Sequence, residues 1–230
     1  MLDFSRFEYL SFDCYGTLID WESGILGYLR PLLRTKGCDV SDAQILNLYS
    51  EFEPHQQDLA YRRYREILAS VVRDFGREFR VDFTEKEASG LADSIGAWKP
   101  FPDTVHALQR LKSRYKLAVL SNIDDDLFAS TAPKLGVDLD CVVTAQQVES
   151  YKPSNLNFET LLDRLQIERG RLLHVAESLY HDVIPAQALG IATVWVNRRQ
   201  GKPAAATRMV AAYPDLEVPT VAALADLAVR

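Results

Sequence analysis

Cysteine is scarce in this 230-residue chain. Cys14, Cys38 and Cys141 stand far apart, with no CxxC pair and no Cys/His cluster. That excludes a zinc site or a disulfide framework and fits a reducing, cytoplasmic setting. No stretch approaches the ~18 apolar residues of a membrane span. The opening MLDFSRFEYLSF carries acids and lacks the basic start and long apolar run of a signal peptide. Basic residues are outnumbered, 26 Lys plus Arg against 32 Asp plus Glu, for a net charge of −6. This speaks against a general binder of nucleic acid or membrane surfaces, which would show a basic face. Repeats and low-complexity segments are absent too. With 47% hydrophobic and 25% charged residues, the composition is that of an ordinary globular protein, neither disordered nor fibrous.

Short apolar runs are present, and they are unevenly spread. Tyr9–Phe12 ends at Asp13 and reads as a buried strand. Four similar runs follow much later, at Leu117–Leu120, Cys141–Thr144, Leu172–Val175 and Ile191–Val196. Helical spacing separates them, as in Val105, Leu108, Leu111 and in Phe158, Leu161, Leu162, Leu165. Alternating strands and helices imply an α/β fold with a parallel sheet covered on both faces. The interval from Leu18 to Trp98 is helical almost throughout, with stripes at Ile45, Leu48, Tyr49, Phe52 and at Tyr64, Ile67, Leu68, Val71, Val72, Phe75. Two prolines in Trp98-Lys99-Pro100-Phe101-Pro102 mark the return. The expected layout is an α/β core of residues 1–16 and 99–230, interrupted by a helical insertion of residues 17–98.

In such sheets ligands bind beyond the carboxyl ends of the strands. Asp13, Ser121, Lys152, Glu177 and Asp182 all fall just after expected strand ends or on the following loops. Each has a plain structural reading beside the chemical one. Asp13 is a nucleophile, a metal ligand or a helix cap, and the Gly16-Thr17 turn after it exposes amides suited to an anion. Ser121 and Asn122 bind a carboxylate or oxyanion, or cap the helix expected at about 125–134. Lys152 holds a carboxylate ionised, or is a surface lysine. Glu177 and Asp182 hold Mg²⁺, activate water, or cap and face solvent. Asp124-Asp125-Asp126 reads as a solvated first turn, and His181 as a structural polar contact. Trp21, Tyr64, Trp98 and Phe101 line the pocket or pack the core.

The order of these features, each after its own strand, resembles the haloacid dehalogenase superfamily. Its four motifs are a first-strand Asp, a Ser/Thr, a Lys and a late acidic loop. The resemblance covers the whole chain and implies a Rossmann-like core with a helical cap inserted after the first strand. Phosphatases of that superfamily carry a second Asp two positions after the nucleophile, where this chain has Tyr15. A phenol is a poor acid near neutral pH. Asp13-Cys14-Tyr15-Gly16-Thr17-Leu18 and Thr193-Val194-Trp195-Val196-Asn197-Arg198 resemble instead the type II 2-haloacid dehalogenases. Those enzymes form an ester on the Asp by attack at C2 and then hydrolyse it.

The resemblance implies Asp13 as nucleophile, Lys152, Ser121, Asp182 and Glu177 in catalysis, and Cys14, Tyr15, Asn122, Ser178 and the cap residue His55 around the substrate. No cofactor is required, and an Mg²⁺ ion on Asp13, the Tyr15 carbonyl and Asp182 belongs only to the phosphatase alternative. The expected partner is a small carboxylic acid, with no nucleic acid or membrane, and a homodimer is compatible. The chain departs from the family pattern at His55, in place of a cap arginine, at Phe158 for a tyrosine, and at Glu177 and Leu179 for Ser and Asn. Phe12-Asp13-Cys14-Tyr15-Gly16-Thr17-Leu18-Ile19-Asp20-Trp21-Glu22, Leu120-Ser121-Asn122-Ile123-Asp124 and Ala176-Glu177-Ser178-Leu179-Tyr180-His181-Asp182 are most similar to the L-azetidine-2-carboxylate hydrolase branch, which opens a strained ring at C2. The alternatives to a halide-releasing hydrolase are therefore this ring opening, a magnesium-dependent phosphatase, and a catalytically silent binding protein.

Overall fold

A computed structural model describes residues 2–199, 205–207 and 210–229. The core segment expected from the sequence includes residues 1, 200–204, 208, 209 and 230, which lie outside these. Six parallel strands form one sheet: β1 (Tyr9–Phe12), β2 (Lys116–Ser121), β3 (Cys141–Thr144), β4 (Leu172–Ala176), β5 (Ala192–Val196) and β6 (Leu216–Val218). Their order is β3-β2-β1-β4-β5-β6. The first five fall on the apolar runs. The sixth has three residues, Leu-Glu-Val, too few for a pattern to show, and only pairing with β5 makes it a strand.

Side chains alternate between the two faces of a strand. Leu10, Phe12, Leu117, Val119, Leu173 and Val175 enter one apolar layer. Tyr9, Ala118, Leu120 and Leu172 enter the other. Burial on both faces is why these strands read as continuous apolar runs. Helices α5 (Thr104–Lys112) and α10 (Val221–Ala228) cover the first face. Helix α8 (Asn155–Leu165) covers the second. The order reverses at β1, with β2 on one side and β4 on the other. The crevice at such a reversal receives ligands, and Asp13 is the first residue past β1.

Four helices separate β1 from α5: α1 (Trp21–Thr35), α2 (Asp42–Gln57), α3 (Tyr64–Phe79) and α4 (Glu85–Ser94). Ser41 with Gln44 and Thr84 with Glu87 form capping boxes that start α2 and α4. The outgoing and returning chains run side by side, with Asp20 N–H bonded to Lys99 O at 2.9 Å and Phe101 N–H to Leu18 O at 3.0 Å.

One expectation is overturned here. Asp124 is not solvated but 1% exposed. Its two carboxylate oxygens accept from Tyr64 N and Arg65 N, each at 2.9 Å, at the start of α3. The position before α3 is Arg63, whose side chain makes no cap bond. A residue 60 positions away supplies the cap instead, an arrangement that local sequence cannot reveal. Asp126 pairs with Arg65, and Asp125 accepts from Thr144 and Gln147, so this acidic run ties segments together.

Candidate active site

The segment after β1 turns sharply, with Leu18 and Ile19 N–H groups both bonded to Cys14 O. Gly16 takes φ +98°, which a side chain would oppose. The turn sends Thr17 back toward Asp13. Its hydroxyl donates to Asp13 Oδ2 at 2.9 Å and accepts the Glu177 N–H at 2.8 Å. Thr17 thus links the end of β1 to the loop after β4.

Lys152 is 2% exposed, and its Nζ donates to Asp13 Oδ1 at 2.9 Å, Asp182 Oδ1 at 2.6 Å and Leu120 O at 3.0 Å. All three ammonium protons are therefore placed. Asn122 clamps the lysine backbone from both sides, its Oδ1 accepting Lys152 N–H at 2.7 Å and its Nδ2 donating to Lys152 O at 3.0 Å. Asp182 Oδ1 also faces His174 Nε2 at 2.9 Å. A carboxylate only accepts, so that nitrogen carries the hydrogen. The other ring nitrogen lies 2.8 Å from Ser11 Oγ.

Burial pushes the Asp13 carboxyl above its ordinary range, opposed by the Lys152 ammonium and reinforced by Asp182. Burial also disfavours the Lys152 charge, but Asp13 and Asp182 outweigh it and hold the ammonium above its usual value. For Asp182, burial is outweighed by Lys152 and His174, which keep it low. Breaking such a buried group of charges by removing one partner costs about 3–5 kcal/mol.

These groups floor a cavity of about 40 Å³. Trp21, Glu53 and Tyr64, from α1, α2 and α3, enclose it from the helical side. Ser121 Oγ borders it and bonds to no described residue. Glu177 and Glu53 both line it, and burial lifts each carboxyl to about 7. Thr207 donates to Glu177 Oε2 at 3.1 Å.

Several expected residues lie elsewhere or are otherwise engaged. His55 is exposed on α2 and does not face the cavity. Glu53 faces it instead, because two residues along a helix are about 200° apart. Ile45, Tyr49 and Glu53 share the buried face, so an acid in an apolar register was the legible signal. The Cys14 side chain is buried in the core and away from the cavity. The Tyr15 hydroxyl points to Thr131 Oγ1 at 2.9 Å, its ring edge-on to Trp98. The Gly16 N–H is spent on Ile19 O. Ser178 Oγ accepts the His181 N–H and caps the turn at 179–183. The Thr17 hydroxyl, Glu53 and His174 were not singled out from the sequence, which pointed only to the amides of the Gly16-Thr17 turn. His174 sits mid-strand, where nothing local marks it.

A divalent cation does not fit the donors as arranged. Mg²⁺ takes six oxygens in near-ideal octahedral geometry. Here both Asp13 oxygens are hydrogen-bonded, and an ammonium bridges Asp13 to Asp182. Among the described residues, no group of three His, Cys, Asp or Glu side chains has metal-holding geometry.

The fold and this site together define an α/β enzyme with a buried aspartate, held by a lysine at the reversal point of a parallel sheet. The chain belongs to the haloacid dehalogenase-like hydrolases, whose family model matches residues 8–190. It is 27% identical over 229 residues to haloacetate dehalogenase H-2 of Moraxella sp. (strain B), covering 96% of this chain and 98% of that one. It is 25% identical to the (S)-2-haloacid dehalogenase of Pseudomonas sp. (strain YL), covering 95% and 93%. The structure of the L-2-haloacid dehalogenase from Xanthobacter autotrophicus with chloropropionic acid covalently bound superposes with a TM-score of 0.80, at 19% identity over 96% and 98% of the two chains. That likeness establishes the shared fold.

Proposed function

We propose that this hydrolase displaces a group, halide by default, from C2 of a small 2-substituted carboxylic acid. The carrying observation is the Asp13 carboxylate, buried and gripped by Lys152 and Thr17 on the floor of a small cavity. Desolvation that raises its proton affinity also raises its nucleophilicity, and the ammonium keeps it ionised and aimed. An Asp13 oxygen attacks C2, the leaving group departs with its electron pair, and an ester joins Asp13 to the substrate. Water then attacks the Asp13 carbonyl carbon, releasing the hydroxy acid. Ser121 Oγ and the N–H groups of Cys14 and Tyr15, which donate to no described residue, receive the substrate carboxylate. Asp182 positions the water. Its Oδ2 is buried with no partner among the described residues, an oxygen that a water would satisfy.

Residues 17–98 act as the cap and residues 1–16 with 99–230 as the core. Three free thiols support a cytoplasmic location. Single turnover in ¹⁸O-water tests the ester: label must enter Asp13, and unlabelled Asp13 after turnover rejects the mechanism.

A second reading, ring opening of L-azetidine-2-carboxylate, is favoured by Glu53 and Glu177. Two acids beside Asp13 and Asp182 suit a zwitterion better than a simple anion, and an amine leaving group needs a proton. Side-by-side incubation with 2-chloropropionate and the azetidine acid separates the two, since chloride release without ring opening rejects the variant. The phosphatase reading lacks an acid. Burial lifts the Tyr15 phenol well above its ordinary value, and its hydroxyl is bonded to Thr131.

A further inference from the structure

Displacement at carbon requires the leaving group to depart opposite the incoming nucleophile. Asp13 rises from the sheet edge, with Ser121, Lys152 and Asp182 around it. The leaving group therefore points away from that edge, and the helical side of the cavity is lined by Trp21, Glu53 and Tyr64. Glu53 is 4% exposed. Its Oε1 accepts from Tyr64 Oη at 3.1 Å and Gln57 Nε2 at 2.5 Å. Its Oε2 accepts from no described residue. In a neutral carboxyl the oxygen that already receives two hydrogen bonds is the carbonyl, so the proton sits on Oε2.

We propose that Glu53 is the leaving-group residue, its neutral carboxyl donating a hydrogen bond from Oε2 to the atom departing from C2. This rests on the reading above. One bond forms, from Asp13 oxygen to C2, and one breaks, from C2 to halogen, which leaves with the pair. The proton stays on Glu53, solvating the halide. An ionised Glu53 would place a second negative charge against it. The carboxyl titrates at about 7, because burial raises it. The titratable groups packed around it are Tyr49 on its own helix, Tyr64 on α3 and Tyr151, all phenols pushed further up by burial. Across the cavity stand Asp13, Lys152, Glu177, His181 and Asp182. Glu177 titrates in the same range and must be separated from Glu53 by experiment.

The test follows chloride release from 2-chloropropionate in single turnovers between pH 5.5 and 9, for the wild type, Glu53→Gln, Glu53→Ala and Glu177→Gln. The wild-type rate should fall about tenfold per pH unit above about 7. Glu53→Gln keeps a donor and removes the ionisation, so its rate stays level across that range. Glu53→Ala loses the donor and should release chloride roughly 100-fold more slowly at pH 6, with unchanged hydrolysis of the preformed ester. An alkaline limb that persists in Glu53→Gln overturns the proposal, as does one that vanishes only in Glu177→Gln. Wild type that releases no halide and labels no Asp13 overturns the underlying reading as well. Circular dichroism verifies folding, and the isosteric Gln variant carries the test if the Ala variant fails to fold.

Discussion

Glu177 provides a quantitative test of how burial sets protonation in this site. Its carboxyl titrates at about 7 in the folded protein, against 4.5 for the free side chain, with burial the main cause and Arg199 and Thr207 opposing it. Between those values the native protein holds a proton that the unfolded chain has released. Stability therefore falls as pH rises from about 4.5 to about 7, and the loss is complete above that. At 1.36 kcal/mol per pKa unit, holding the charge in place costs about 3 kcal/mol. Glu177→Gln removes the ionisation and keeps an oxygen to accept the Thr207 hydroxyl. The variant should match the wild type near pH 4.5 and exceed it by about 3 kcal/mol at pH 8.5. In a protein of this size that is a rise of roughly 6–12 °C in Tm. Urea denaturation at both pH values measures the difference. Parallel stability profiles for the two proteins would refute the reasoning, because the cost of the buried charge would then be absent.

Further outcomes follow from single contacts. Asp124→Ala orphans the Tyr64 and Arg65 N–H groups and should cost about 1–2 kcal/mol, with amide exchange accelerating first at the start of α3. Gly24→Ala drives a methyl to 2.5 Å from the Trp98 ring and should lower the urea midpoint by the equivalent of about 1–3 kcal/mol. On the same helix, Gly27 has open space around it, so Gly27→Ala should stabilise by about 0.5–1 kcal/mol. Lys152→Met leaves Asp13 and Asp182 without their cation. It should abolish halide release and cost about 3–5 kcal/mol at pH 8, less at pH 4 as the carboxyls take up protons. Chelation with EDTA should leave wild-type halide release unchanged.

Local pattern carried much of this protein. The strands around Leu10, Val119, Val143, Val175 and Val194 are short apolar runs because both faces are covered, and that pattern is complete within each run. The chemistry was legible in part for the same reason. Ser121 ends its strand, Asp13 directly follows one, and Lys152 and Asp182 lie on the connections beyond two others; a parallel sheet sends all its strand ends to one edge. What pairs across long separations was not legible. Lys152 reaches Asp13 from 139 residues away, Asp124 caps a helix in the insertion, and β6 exists only beside β5. The family resemblance placed His55 beside the substrate where the fold presents Glu53, because spacing from a motif does not say which face of α2 meets the site. Protonation was the most hidden feature. The sequence by itself determined that acids stand near the strand ends. Only the tertiary structure decided which are desolvated, because the proton affinity of Glu53 and Glu177 depends on the groups that close around them.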